Sequence, residues 1–285
     1  MITRNWNELL GGRQAQGLMV CVGLDSDNTR IPSVVQSANE AFRIEMFNEA
    51  IVQATKDLVG AFKPNIAFYE ALGPAGLMAL GRTISFIHEQ ASGVPVIVDA
   101  KRADIGRTNI GYIRAIFNEL GADAVTVNPY FGAEGLQPFL DQKDKGIIVL
   151  CRTSNQGAQE FQDLMVKVDI GEMPLYQVVA KRVANHWNTN GNCALVVGAT
   201  YPKELAAIRQ LVGNDRPLLI PGVGTQGGDV EKVVTAGTKN MIINSSSGVI
   251  FASNGPDFAE AARRSTLKLH QEIQAALAAV AQQGE

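Results

Sequence analysis

Between residues 95 and 104 the chain passes abruptly from apolar to charged. The run PVIV leads into Asp99, Lys101, Arg102 and Asp104, in a chain of which only 19% of residues are charged. In an extended strand, side chains two apart leave on the same face, so Asp99 and Lys101 are expected side by side. Burying one charge there would be prohibitive, whereas an alternating array is tolerable because each charge offsets its neighbour. Such an array is either an ion pair that closes a barrel mouth or equipment for acting on a substrate. Other apolar runs end in the same manner, with Asp25 closing LMVCVGLD and Lys63 and Asn65 inside GAFKPNIAFYE. Asp25, Lys63, Asp99, Lys101 and Asp104 are therefore expected to converge, and a structural plug seldom needs five ionised groups. A second chemistry collects at PGVGTQGGD (221–229), where Gly222 and Gly224 fall in a glycine-rich strand-to-helix turn. Backbone N–H groups at the start of a helix there can hold a phosphate.

These residues need elements to carry them. Eight short apolar runs recur, at 18–25, 60–70, 95–102, 124–129, 146–153, 194–200, 217–224 and 240–248. Their hydrophobicity is nearly continuous rather than alternating, which predicts strands buried on both faces of a parallel sheet. Stretches of helical character lie between them, such as NEAFRIEMFNEAIVQATKDL, TNIGYIRAIFNEL and PKELAAIRQLV, and PDFAEAARRSTLKLHQEIQAALAAVAQ follows the last. Eight βα units in this order predict an α/β fold of the (β/α)8 TIM-barrel type. An open doubly wound sheet usually has fewer strands and a nucleotide fingerprint after the first. In such a barrel the active site lies at the C-terminal ends of the strands, where the charges and the glycine turn fall. Strand five ends in Thr153 and Ser154, strand six in Thr200, and strand eight in Ser245, Ser246 and Ser247. Residues 154–173 form the longest connection without helical period, a candidate functional loop or lid. No linker or repeat divides the chain, so 1–285 is expected to form a single domain, with a lead-in over 1–17 and a C-terminal helix over about 257–281.

The net charge of −3 comes without basic runs, which argues against a nucleic-acid partner. No apolar run approaches the ~18 residues of a membrane span, and the first residues lack the apolar region of a signal peptide. Cys21, Cys151 and Cys193 lie in apolar runs without C-x-x-C spacing and are expected as reduced core thiols of a cytoplasmic protein. His88, His186 and His270 fall in helical segments with no second ligand at metal spacing, and read as surface or helix-packing residues. Trp6 and Trp187 read as packing anchors.

The DxKxxD pattern of DAKRADIG, with the Asp of VGLD, the Lys of FKPN, the TSN after strand five and PGVGTQGGD after strand seven, resembles the orotidine 5′-phosphate decarboxylase family. More narrowly, NPYFGAEGLQPFL, CRTSNQG, VVGATYPKEL and INSSSGVIFAS resemble its longer bacterial branch, over about residues 18–255. The resemblance implies decarboxylation of orotidine 5′-phosphate to UMP, the last step of pyrimidine nucleotide synthesis, without a cofactor. By it, Asp99 crowds the substrate carboxylate, Lys101 protonates C6, and Lys63 and Asp104 complete the array. Asp104, Ile105 and Thr108 would be contributed across a homodimer interface to the neighbouring subunit's site. Asp25 matches the ribose-binding Asp, Ser154 the serine that contacts the pyrimidine, and Gln226 the glutamine that reaches towards phosphate and base.

The chemistry gives the same scheme a reason: loss of CO2 from C6 leaves a carbanion without useful delocalisation, and a fixed ammonium aimed at that carbon is the direct remedy. Two positions depart from the family's pattern. Ala103 stands where the family usually has Gly, which would strain a positive φ. Ser247 stands where the family has a phosphate-binding Arg, and a hydroxyl does not replace a bidentate guanidinium. Two alternatives follow: a related barrel that uses DxKxxD with Mg2+ on sugar phosphates, or a nucleotide-binding barrel that has lost catalysis. The TSN and Lys63 positions argue against the first, and the intact Asp99, Lys101 and Asp104 set against the second.

Overall fold

The computed structural model describes residues 4–223 and 227–283. Ten strands follow in chain order: β1 (Val20–Leu24), β2 (Ala61–Pro64), β3 (Ile97–Arg102), β4 (Ala124–Val127), β5 (Gly146–Arg152), β6 (Met165–Lys167), β7 (Glu172–Pro174), β8 (Cys193–Val197), β9 (Leu218–Pro221) and β10 (Met241–Ser245). β6 and β7 pair only with each other, as an antiparallel hairpin. The other eight run parallel in the order β2-β1-β10-β9-β8-β5-β4-β3. Bridges Phe62–Val96 and Asn65–Asp99 join β2 to β3 and close the ring. The fold is the (β/α)8 barrel that the eight continuous apolar runs imply.

The second run is the one whose length differs most. Strand β2 stops at Pro64, and Ala67–Glu70 is a helical turn rather than more strand. The Asn65 side-chain oxygen accepts from the Ala67 N–H (3.3 Å) and starts that turn. Within 154–173 the chain forms a short 3-10 helix, Gln156–Glu160, followed by the β6–β7 hairpin. Among the described residues no helix is long and apolar enough to cross a membrane.

Helices cover the barrel because each buries one apolar stripe. In Glu40–Thr55, capped by the Asn39 side chain on the Phe42 N–H, the buried residues Ile44, Phe47, Ile51 and Val52 recur at helical spacing. Phe47 stacks on Phe251 and Phe258, which ties that helix to the C-terminal helix Phe258–Gln283.

The lead-in holds a helix of its own, Trp6–Ala15, which the sequence reading did not assign. It seals the bottom of the barrel. Trp6, 1% exposed, and Leu10 pack against an inward layer of Cys21, Ala61, Ile97, Ala124, Ile148, Ala194, Leu219 and Ile242, one residue from each barrel strand. Gly146 makes room for the indole: a Cβ at that position would stand 2.6 Å from two Trp6 ring atoms. Polar ties run from this segment to the loops around the floor. Arg4 pairs with the buried Asp123 through Nε (2.9 Å) and Nη2 (2.8 Å), the Trp6 N–H bonds to Asp144 O, the Asn7 amide to Gly191 O, and the Gln14 amide to Met241 O.

Candidate active site

The alternation of the strands turns this apolar floor into a polar mouth. Two residues beyond the floor layer, the inward positions are Lys63, Asp99, Thr126, Leu150, Val196, Pro221 and Asn244, and all line one cavity of about 500 Å³. Asp25, Asn65, Lys101, Thr153, Ser154, Gly222 and Ser247 continue its wall at the C-terminal ends of the strands. Four of the five ionised groups expected to converge therefore do so.

Asp99 is the hub. Its Oδ1 accepts from Lys101 Nζ (2.7 Å) and from the Thr126 hydroxyl (2.8 Å), and its Oδ2 from Lys63 Nζ (3.0 Å). Burial alone would push the Asp99 carboxyl up. The Lys63 and Lys101 ammoniums, with the hydrogen bonds from Lys101 and Thr126, outweigh it and hold the group well below the usual carboxylate range. Lys63 is 3% exposed, and burial alone would favour its neutral amine; the Asp99 and Asp25 carboxylates reverse that and raise its pKa. Asp25 stands 3.9 Å from Lys63 Nζ, an ion pair too long for a hydrogen bond, and among the described residues its Oδ1 has no other partner. Lys101 differs from Lys63 in that its side chain is half exposed.

Lys101 and Asp99 do meet, but not through a regular pleat. Lys101 has φ of 49°, in the left-handed region, and the β3–β4 register shifts between Val98 and Arg102. The positive φ that the motif needs thus falls on Lys101 and on Gly106 (46°), whereas Ala103 is not among the positive-φ residues and packs against the core. The methyl at 103 carries no backbone strain.

Asp104 is the ionised group that does not join the cavity of its own chain. Past Arg102, which pairs with Glu70, the chain turns outward. Asp104 Oδ1 accepts from the Ile105 N–H (2.7 Å), and Ile105 and Thr108 are exposed on the barrel's outer rim. None of the three lines the cavity.

The end of β5 positions Ser154. The buried Arg152 makes a bidentate pair with Asp163 (2.8 and 3.0 Å) and stacks over Tyr201 at 3.8 Å, while Thr153 exchanges hydrogen bonds with the Gln162 amide. These contacts pin the start of the 154–173 segment over the mouth, and Ser154, Asn155 and Gln162 face the cavity. Gly222, after β9, lines the cavity two strands along the ring from β5, with φ of 99°, a backbone that a residue with a Cβ rarely takes. Gly224 and Gln226 lie outside the described residues.

A family model for the orotidine 5′-phosphate decarboxylase / HUMPS family matches residues 18–264. The chain belongs to that family. An orotidine 5′-phosphate decarboxylase of Herpetosiphon aurantiacus is 52% identical over 245 residues, covering 86% of this chain and 88% of that protein. Among solved structures, an OMP decarboxylase of Leishmania donovani is similar at TM-score 0.81 and 34% identity, covering 96% of this chain and 98% of that one. The UMP synthase of the same organism gives TM-score 0.83 and 36% identity; there the chain spans 57% of the longer protein.

Within the family's pattern, Ser247 begins the helical turn Ser247–Ile250 at the cavity wall after β10. Among the described residues that line the cavity, the cations are Lys63 and Lys101, on β2 and β3, both engaged by Asp99. Sequence reasoning missed Thr126, Gln162 and Asn244. The signal for both Thr126 and Asn244 was available: Thr126 is the lone polar residue of an apolar strand, Asn244 is the first polar residue after Met241–Ile243, and both are in phase with the inward positions. Asn244 Oδ1 is buried at the cavity wall and has no hydrogen-bond partner among the described residues.

Proposed function

We propose that this chain removes CO2 from orotidine 5′-phosphate to give UMP, as a cytoplasmic homodimeric carboxy-lyase. The observation that carries the reading is the Lys63–Asp99–Lys101 array at the base of the mouth cavity, in a chain of this family. Asp99, held ionised by two ammoniums, would face the substrate carboxylate and disfavour its charge. The C6–carboxylate bond breaks, its electron pair stays on C6, and CO2 leaves. Lys101 Nζ stabilises that pair and transfers a proton to C6, and the amine regains its proton from water. Contacts to the remote phosphate, at Gly222 and Ser247 and through the glycine turn, would hold the ring against the array, so that binding energy far from C6 lowers the barrier. Asp25 would take ribose hydroxyls and Ser154 would contact the pyrimidine.

The homodimer is part of the same proposal. Asp104 and Ile105 turn away from their own cavity and pack beside Phe131 over Gly135, and Ile105, Ile110, Tyr130 and Phe131 expose apolar surface. A second subunit covering that surface would receive Asp104, Ile105 and Thr108 at its own site. The three cysteines are free and buried, which suits a reducing compartment.

The test is an absorbance assay of the purified protein with orotidine 5′-phosphate over a range of concentrations, with and without EDTA. Turnover unaffected by EDTA supports the proposal. Mg2+-dependent turnover of a sugar phosphate, or UMP binding without turnover of orotidine 5′-phosphate, refutes it.

A further inference from the structure

Thr126 lies at the centre of β4, 1% exposed, in the run AVTV. A buried hydroxyl is costly unless it is bonded, and this one makes two bonds, both to the reacting pair. Its Oγ1 accepts from the Lys101 N–H at 2.9 Å and donates to Asp99 Oδ1 at 2.8 Å. That Oδ1 is also the atom that accepts from Lys101 Nζ. One side-chain oxygen thus ties together the backbone of the lysine, its ammonium's partner and the neighbouring strand. The tie falls where the β3–β4 ladder slips, so a side chain rather than the ladder takes the Lys101 N–H. It also falls where the lysine backbone is left-handed, a conformation that L-residues other than glycine persist in only when their surroundings enforce it.

We propose that Thr126 is a positioning residue for the Asp99–Lys101 pair: it holds Lys101 in its left-handed turn and so sets the direction from which the ammonium meets the reacting carbon. Its kinetic consequence rests on the decarboxylase reading above; its geometric content does not. A methyl in place of the hydroxyl leaves the Lys101 N–H without its acceptor and frees the Asp99 carboxylate to rotate. An ångström of misplacement at a reacting centre costs on the order of a hundredfold in rate.

The experiment compares the full chain with Thr126→Val, Thr126→Ala and Thr126→Ser, each assayed for kcat and KM and each crystallised. The Val and Ala variants are expected to lose about 10- to 100-fold in kcat while KM stays within about threefold, the pattern of lost transition-state alignment rather than lost binding. The Ser variant, which keeps the hydroxyl, should return kcat to within about threefold of the parent, a rescue that a merely space-filling role would not produce. In the crystals, Lys101 should leave the left-handed region in Val and Ala and keep it in Ser. A folded Val or Ala variant with parental kcat, or a Ser variant as slow as either, overturns the proposal. If the parent does not turn over orotidine 5′-phosphate, the decarboxylase reading fails by itself, and the crystals decide the geometry: an undisturbed Lys101 without the hydroxyl overturns it. The Ala variant adds no bulk and keeps the test open if Val does not fold.

Discussion

The two lysines that flank Asp99 should separate cleanly on mutation, one through rate and the other through stability. Lys101 is half exposed and, among the described residues, bonded through Nζ to Asp99 alone. After allowing for solvent screening, such a pair is worth about 1 kcal/mol or less, so Lys101→Ala should fold with nearly parental stability. Its loss of a positioned proton donor should cost about 10²- to 10⁴-fold in kcat, or about 2.7–5.5 kcal/mol of transition-state stabilisation. Lys63 is buried between Asp99 Oδ2 at 3.0 Å and Asp25 at 3.9 Å. Removing one partner of a buried charge set costs about 3–5 kcal/mol, so Lys63→Ala should lower Tm by roughly 6–20 °C at about 2–4 °C per kcal/mol. The pH dependence follows from the signs. The raised Lys63 pKa gives stability that is present below the unfolded value of about 10.4 and lost as pH rises through the folded one. The depressed Asp99 pKa gives stability that is present above about 3.9 and lost as pH falls towards its folded value. The gap between parent and Lys63→Ala should therefore stay flat from about pH 6 to pH 9. Circular dichroism, urea unfolding at several pH values and kcat for orotidine 5′-phosphate read all of this. A Lys101→Ala protein with normal circular dichroism and more than about a hundredth of parental kcat refutes the reasoning, as does a Lys63→Ala protein as stable as its parent.

Ser247→Arg should tighten phosphate binding about ten- to a hundredfold, because a guanidinium at the β10 end adds charge-assisted hydrogen bonds of about 1.5–3 kcal/mol; the gain should appear in KM and UMP affinity and be absent for the dephosphorylated nucleoside. Mixing Lys101→Ala chains with Asp104→Ala chains should recover activity, since some heterodimer sites would contain both intact residues; no recovery while subunits demonstrably exchange rules out the shared site. At the barrel floor, burial alone would raise the Asp123 carboxyl, but the nearby His88 imidazole (3.6 Å) and hydrogen bonds from Arg4 and the Val96 N–H outweigh it and pull the group down to about 2. That depression, from an ordinary value of 3.8, corresponds to on the order of 2 kcal/mol of stability, present above the unfolded pKa and lost as pH falls through about 2. Urea unfolding of Asp123→Asn should show a deficit of about this size at pH 7 that narrows only below about pH 4.

The strands and the array were legible because each rests on a local signal. A run such as VCVGL is apolar throughout and has one reading, a strand covered on both faces, and a carboxylate or ammonium that closes such a run marks the mouth. The left-handed turn at Lys101 was not legible, since nothing in DAKR demands it: the Thr126 hydroxyl on another strand enforces it. The same holds for Asp104, whose sequence position beside the array says nothing of the outward turn that follows Arg102. The floor helix escaped for a different reason. Only Trp6 and Leu10 are buried in it, and the pair Gly11–Gly12 weakens its helical character, so its stability comes from what it docks against rather than from its own pattern.

That floor helix precedes every strand in the chain, yet its seat is made of one residue from each of the eight, including Ile242 of the last. Its docking surface does not exist until the ring has closed. The Gln14 amide of this helix reaches Met241 O, 227 residues along the chain, and contacts of such separation form slowly because loop-closure entropy must be overcome first. The helix that comes before all the strands thus finds its seat only after the ring has closed, and until it does the barrel exposes an apolar well at its lower end. Nascent chains of this protein have a built-in interval in which their upper face is assembled and their lower face is still adhesive.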